Sequence, residues 1–178
     1  MESTILSAGV LVPIYRELAA DGLQFRGLSI LTHRATIQKL VRRHGAQRLL
    51  DYGSGAGDAW RSPHRLHKDL RLHWWDVVLY DPAFPEHEEE PTGMFDGVLC
   101  SDVLEHVPEG ELDAMIERLY SHARRFLWAS VCCRLAKKKF PDGTNMHVTI
   151  HKLPWWRDLF EKHRPKDREI DVVLSESP

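Results

Sequence analysis

The sequence has few of the features that mark secreted, membrane-spanning or strongly basic proteins. Only three of its 178 residues are cysteines, too few for a disulfide framework, so we expect Cys100, Cys132 and Cys133 to be buried free thiols. No run reaches the ~18 apolar residues that a membrane span requires, and residues 1–16 lack the pattern of a signal peptide. The formal net charge of −2 gives no overall sign of nucleic-acid binding. These absences predict a cytoplasmic protein without a membrane segment.

The length and composition are those of one ordinary globular domain. Apolar residues make up 43% and charged residues 28% of the chain, which is a typical mixture. A chain of this size buries roughly 70% of the surface that its unfolded form exposes, so it needs no metal or disulfide to fold. We therefore predict a single domain over residues 1–178, with a helical cap at 1–45 and the core at 46–178.

Short apolar runs alternate with helical patterns along the core. The runs predict buried strands at residues 48–52, 76–80, 95–100, 126–132 and 170–174, because near-continuous apolar character suits a sheet covered on both faces. Helices are predicted at residues 5–20, 32–44, 108–123 and 154–163. Strands that alternate with helices favour a parallel sheet with right-handed crossovers. The predicted fold is α/β: a Rossmann-like, mostly parallel sheet with helices on both faces and an N-terminal helical lid around residues 25–33.

The sharpest motif is a strand that runs into three glycines at alternate positions, Gly53, Gly55 and Gly57. Glycine permits a tight turn and lets a ligand approach the backbone, and we expect exposed amides there to favour a polar or anionic ligand. Asp81 ends the following strand, where a carboxylate can accept two hydrogen bonds from a ribose diol. The plainer alternative is an ordinary strand-to-helix turn, with Asp81 acting only as a turn residue before Pro82.

The glycine spacing distinguishes two kinds of cofactor. It departs from the dinucleotide pattern G-x-G-x-x-G, because Asp58 stands where the third glycine of that pattern would fall. A cofactor without phosphate is therefore favoured, while a nicotinamide- or nucleotide-binding Rossmann protein stays the alternative. Ser101 and Asp102 end the third strand and belong to the same crevice, since ligands bind at the carboxyl ends of such strands.

Three segments together resemble the class I S-adenosylmethionine-dependent methyltransferases. They are LDYGSGAG at residues 50–57, LYDP at 79–82 and FDGVLCSDVLEHVP at 95–108. The resemblance covers residues 49–131 and implies an S-adenosylmethionine cofactor, with its amino-acid part on Asp51 and the glycine loop and its ribose on Asp81. The chain also looks like a group of small methyltransferase-domain proteins of bacteria and their viruses, which share NMHVT at 145–149 and the Trp155-Trp156 pair. The predicted cofactor-binding residues are Asp51, Gly53, Ser54, Gly55, Gly57, Asp81, Pro82, Ser101 and Asp102.

Two acids and a histidine follow the third strand, namely Asp102, Glu105 and His106, and His147 comes later in the chain. Carboxylate and imidazole ligands suit a divalent cation such as Mg, Mn, Zn or Fe. Two methyltransferase groups look similar here, one acting on the terminal ribose 2′-hydroxyl of small RNAs and one on catechols, although both have glutamate where this chain has Asp102. We predict a metal set of Asp102, Glu105, His106 and His147, with His106 and His147 as catalytic residues able to act as general base. The plainer alternatives are that Glu105 caps a helix, that His106 packs on the cofactor's adenine or closes a loop, and that His147 pairs with a backbone carbonyl.

Two tryptophan pairs add large apolar surfaces. We expect Trp74 and Trp75 to pack in the core. For Trp155 and Trp156, core packing and a wall of the substrate pocket are equally consistent with the sequence.

These motifs predict methyl transfer from S-adenosylmethionine to an oxygen or nitrogen acceptor, with a hydroxyl preferred because of the candidate metal residues. A chain of 178 residues leaves no room for a separate recognition domain, which favours a small-molecule or terminal-group acceptor. The segment from Arg134 to Arg168 has ten lysines and arginines against four acids, which keeps a nucleotide or glycan phosphate acceptor open. A nucleic-acid acceptor is possible but not favoured. A noncatalytic scaffold that only binds the cofactor is a further alternative.

Overall fold

A five-stranded parallel sheet forms the centre of the protein. The structure is a computed structural model and describes residues 8–20, 22 and 24–177. Its strands are β1 (Leu49–Tyr52), β2 (Val77–Tyr80), β3 (Phe95–Ser101), β4 (Ala123–Val131) and β5 (Asp171–Glu176). Its helices are α1 (Ala8–Ala19), α2 (Arg34–His44), α3 (Leu66–Asp69), α4 (Leu112–His122) and α5 (Leu153–Lys162).

The strands lie in the order β2-β1-β3-β4-β5, and every neighbouring pair is parallel. Side chains alternate between the two faces of a strand. Leu50 of β1 therefore packs with Ile116 of α4 on one face, while its neighbour Leu49 packs with Ile37 of α2 on the other. The predicted α/β sheet with helices on both faces is confirmed.

The N-terminal helix packs apart from these two layers. Leu11 of α1 forms a small cluster with Phe140 and Met146, which lie in the long segment between β4 and α5. The predicted helix at residues 5–20 is observed over Ala8–Ala19, and residues 5–7 lie outside the described residues. A 3-10 turn at Ser29–His33 leads into α2.

The prediction that Trp74 and Trp75 pack in the core is wrong. Trp74 is 68% and Trp75 is 61% exposed, because both lie on a 3-10 turn before β2. The tryptophans of the second pair differ in burial. Trp156 is completely buried, whereas Trp155 is half-buried and stacks on His151.

The expected free thiols are present, with Cys100 and Cys132 buried and Cys133 half-buried. Among the residues that the structure describes, none of the helices combines the length and the apolar character needed to cross a bilayer.

Candidate functional site

A cleft of about 1090 Å³ opens at the carboxyl ends of the strands. Residues that follow or end each of the five strands line it, which is the position where ligands bind in sheets of this kind. The volume slightly exceeds the roughly 300–1,000 Å³ of common small-molecule sites. These strand-end residues are Gly53, Asp81, Asp102, Cys132 and Ser177.

Most of the predicted cofactor residues line this cleft, and three do not. Asp51, Ser54 and Gly57 are buried and, within the described part of the chain, are not among the lining residues. The predicted residues that do line it are Gly53, Gly55, Asp81, Pro82, Ser101 and Asp102.

The N-terminal segment closes one side of the cleft. Phe25 and Gly27 line it together with Tyr15 of α1. Arg16 of α1 donates a hydrogen bond to the Pro82 carbonyl oxygen at 2.7 Å, and the same guanidinium contacts Glu88. Helix α1 is thereby joined to the loop that follows β2.

The amides of the glycine loop are not free, which corrects the expectation of exposed donors. Each amide from residue 53 to residue 58 donates a hydrogen bond inside the chain. The acceptors are Tyr80 O for Gly53 and Ser54, Asp81 Oδ2 for Gly55, Phe25 O for Ala56, Ser54 O for Gly57 and Arg26 O for Asp58. The loop therefore contributes Gly53 and Gly55, which have no side chains, to the lining of the cleft.

Glycine is required at position 55 for two reasons. Its φ is +56°, in the left-handed region that other residues occupy at a cost. A Cβ there would collide with the carbonyl oxygen of Phe25. The backbone of residues 25–27 can therefore lie directly on the loop only because this position has no side chain.

Asp81 lies beside the glycine loop, as the sequence predicts. Its Oδ2 accepts a hydrogen bond from the Gly55 amide at 2.8 Å, and its Oδ1 accepts one from the Ala83 amide at 2.9 Å. Burial raises the pKa of Asp81, and these two hydrogen bonds oppose the shift. Each carboxylate oxygen retains a lone pair, so Asp81 can still accept hydrogen bonds from a ribose diol.

Asp51 has a different environment from the one predicted. It is 3% exposed, and its Oδ2 accepts a hydrogen bond from the indole Nε1 of Trp60 at 2.7 Å. Burial raises the pKa of Asp51 to about 7, the Trp60 hydrogen bond opposes this shift, and the charge of Asp81 adds to it. Asp51 therefore fixes the segment after the glycine loop instead of lining the cleft.

His106 also lines the cleft and lies against a backbone carbonyl. Its Nδ1 lies 2.9 Å from the carbonyl oxygen of Met146, and a carbonyl only accepts, so this contact is a hydrogen bond when Nδ1 carries the proton and Nε2 keeps a lone pair. The Tyr15 hydroxyl lies 2.8 Å from the same nitrogen and also donates to Met146 O at 3.2 Å. Burial lowers the pKa of His106 to about 4, and His147 adds to this shift.

His147 is held in the same way, as one alternative from the sequence anticipated. Its Nδ1 donates to the carbonyl oxygen of Arg134 at 2.6 Å, so its Nε2 also keeps a lone pair. The two imidazole rings lie edge to face, with centroids 4.9 Å apart. Both histidines line the cleft.

Glu105 is a completely buried carboxyl group that also lines the cleft. Its Oε1 accepts a hydrogen bond from the Cys132 amide at 3.0 Å, whereas its Oε2 has no hydrogen-bond partner among the described residues. Burial raises the pKa of Glu105 to about 8, and Asp102 adds to the shift.

The predicted metal set is brought together only in part. One carboxylate oxygen of Asp102 is bound elsewhere, because Oδ1 accepts hydrogen bonds from the hydroxyls of Ser130 and Ser177. Within the described residues, the three ligand atoms that lie within 4.8 Å of one another belong to Glu105, Cys132 and His147. Asp102 and His106 thus fall outside this group, although His106 is its neighbour.

Cys132 and Tyr15 are two of the lining residues that the sequence analysis missed. Cys132 directly follows β4, so the rule that ligands bind at strand ends could have identified it. Nothing local marks Tyr15, because its contact with His106 joins positions far apart in the chain.

Comparison with known proteins gives one family. A family model described as a methyltransferase domain matches residues 16–166. Neither the comparison with curated proteins nor that with solved structures finds a match. The family match decides for S-adenosylmethionine against a nicotinamide cofactor, and for an enzyme against a scaffold. The chain belongs to the methyltransferase domain family and is a class I, S-adenosylmethionine-dependent methyltransferase.

Proposed function

We propose that this methyltransferase methylates a hydroxyl group of a small or terminal acceptor held at the His106 end of the cleft. The cofactor lies at the other end, against Gly53 and Gly55, with its ribose hydroxyls on Asp81. The observation that carries the proposal is the pair of histidines whose Nδ1 atoms lie 2.9 Å and 2.6 Å from backbone carbonyl oxygens, contacts that are hydrogen bonds when Nδ1 carries the proton. In that tautomer each offers an unprotonated Nε2 at the lining of the cleft, where it can accept a proton from an acceptor hydroxyl.

His106 is the proposed general base. The acceptor oxygen attacks the methyl carbon, the bond between carbon and the sulfonium sulfur breaks, and the sulfur retains the electron pair. The proton of the hydroxyl passes to Nε2 of His106, so methyl ether, S-adenosylhomocysteine and a protonated imidazole result. Such proton transfer contributes about 10²–10⁴-fold to a rate. Its Nδ1 contact with Met146 O fixes the ring for this role.

Helix α1 supports the proposal through contacts at the cleft. Tyr15 packs edge to face against the His106 ring, with centroids 5.5 Å apart, and Arg16 joins α1 to the loop after β2. These contacts enclose the reacting groups, which excludes water and aligns acceptor with donor. An amine is the second candidate acceptor, favoured by the unpartnered carboxyl oxygen of Glu105, which could bind an ammonium group.

The test measures methyl transfer from isotope-labelled S-adenosylmethionine to panels of hydroxyl and amine compounds. His106→Gln should lower kcat on a hydroxyl acceptor by about 10²-fold or more and leave cofactor binding unchanged. The matched control is His122→Gln, because His122 Nδ1 also contacts a backbone carbonyl, Gly93 O at 2.9 Å, but the residue does not line the cleft. Label appearing only on amines, or an unchanged kcat for His106→Gln, would overturn the proposal.

A further inference from the structure

Glu105, Cys132 and His147 converge at the acceptor end of the cleft from three separate parts of the chain. Glu105 follows β3, Cys132 follows β4 and His147 lies in the segment before α5. One ligand atom from each lies within 4.8 Å of the other two. In a tetrahedral zinc site the ligand atoms are roughly 3.3–3.8 Å apart, so movements of about 1 Å suffice to close the set.

An independent observation indicates that this cluster has an occupant. The Oε2 atom of Glu105 is buried without a hydrogen-bond partner among the described residues, and an unpartnered buried polar atom costs about 1–3 kcal/mol. The residue is completely buried and lines the cleft. A cation at this point would satisfy that oxygen.

The orientation of His147 fits a ligand for a metal. Metal-bound histidines almost always donate their second ring proton to a carbonyl or carboxylate, which fixes the tautomer. His147 Nδ1 donates to the carbonyl oxygen of Arg134 at 2.6 Å. Its Nε2 therefore carries the lone pair that a metal requires.

We propose that Glu105, Cys132 and His147 form a three-ligand site for a zinc-class divalent cation, with a fourth position open to the acceptor. The thiolate decides the class of metal, since sulfur ligands select zinc over magnesium or manganese. Three protein ligands and one open position are the pattern of catalytic zinc sites. When the cation binds, the Cys132 thiol loses its proton and Glu105 binds as the carboxylate.

The site deepens the proposed function, and its open position rests on that proposal. An acceptor hydroxyl bound to the cation becomes more acidic, so its proton passes more readily to Nε2 of the neighbouring His106. Cation binding itself rests only on the three side chains. The metal test and the methyl-transfer test can therefore fail separately.

The experiment titrates the purified full chain with Co²⁺, a coloured substitute for Zn²⁺, and records the absorption from thiolate-to-cobalt charge transfer. We expect one Co²⁺ per chain and displacement of the band by Zn²⁺. Cys132→Ser should abolish the band. His147→Gln should weaken Co²⁺ binding at least tenfold. This variant tests the site independently if Cys132→Ser does not fold. Cys133→Ser is the matched control and should retain the band, because Cys133 is adjacent in sequence and outside the cluster.

Three results would overturn the metal site: no thiolate band in the parent protein, a band that survives Cys132→Ser, or a band lost in Cys133→Ser. Calorimetry with S-adenosylmethionine on the same samples separates the two proposals. Cofactor binding without the band rejects the metal site alone, whereas the band without cofactor binding supports the metal site and rejects the proposed function.

Discussion

Replacing Gly55 by alanine should detach the N-terminal segment from the glycine loop. The left-handed φ of +56° adds about 1–2 kcal/mol of backbone strain for a residue with a Cβ. The new methyl group also displaces the Phe25 carbonyl, which breaks the hydrogen bonds from Ala56 N to Phe25 O at 2.9 Å and from Asp58 N to Arg26 O at 3.1 Å. At about 1 kcal/mol for each bond, the free energy of unfolding should fall by about 3–4 kcal/mol in total.

The same substitution at Gly93 supplies the control. Gly93 has a φ of +79°, and a Cβ there would meet no atom within 4 Å, so Gly93→Ala should cost only the strain of about 1–2 kcal/mol. Urea unfolding measures both variants, and calorimetry measures their affinity for S-adenosylhomocysteine. Because residues 25–29 line the cleft, Gly55→Ala should weaken this affinity at least tenfold. Equal stability of the two variants, with unchanged affinity in Gly55→Ala, would refute the reasoning.

Three further predictions concern stability and are measured by urea unfolding. The Asp51 pKa of about 7 in the folded protein, against 3.8 ordinarily, means that the folded state keeps a proton that the unfolded state releases. The free energy of unfolding should therefore fall by about 4 kcal/mol as the pH rises from 4 to 8, and Asp51→Asn should remove this part of the slope; an unchanged slope contradicts the prediction. Gly97→Ala should cost about 1–3 kcal/mol by overpacking, because its Cβ would meet the Phe126 ring, and Phe126→Leu should partly restore the loss. Trp74→Ala should lower the free energy of unfolding by less than about 0.5 kcal/mol, because Trp74 is 68% exposed. Trp156→Ala should lower it by about 3–5 kcal/mol, because Trp156 is fully buried. Equal losses in the two variants would contradict this prediction.

The sequence predicts a strand well where a local signal marks its carboxyl end. β1 ends in the glycine loop and β2 ends at Asp81-Pro82, and their observed bounds differ from the predicted ones by one residue. β4 begins earlier than predicted, at Ala123, because the exposed Arg124 and Arg125 interrupt its apolar pattern. Both arginines reach Asp96, a contact that no local pattern reveals.

The candidate site is predictable only as far as it follows strand ends. Asp81 is next to the glycine loop because adjacent parallel strands finish at the same edge. The acceptors for the loop amides come from Phe25 and Arg26, a different part of the chain, so the sequence could not show that these donors are occupied. The sequence also could not show that Asp102 lies outside the metal cluster, because the Ser177 hydroxyl that binds it comes from a distant part of the chain, just after β5.

Calorimetric titration of S-adenosylmethionine into the parent protein, Asp81→Ala and Asp76→Ala tests the central claim most directly. Asp76 lies at the opposite end of β2 from Asp81, so its variant controls for the loss of a carboxylate. The account predicts one site in the parent protein, unchanged affinity in Asp76→Ala and a loss of at least tenfold in Asp81→Ala. An absence of binding to the parent protein, or equal affinity in all three, would contradict it.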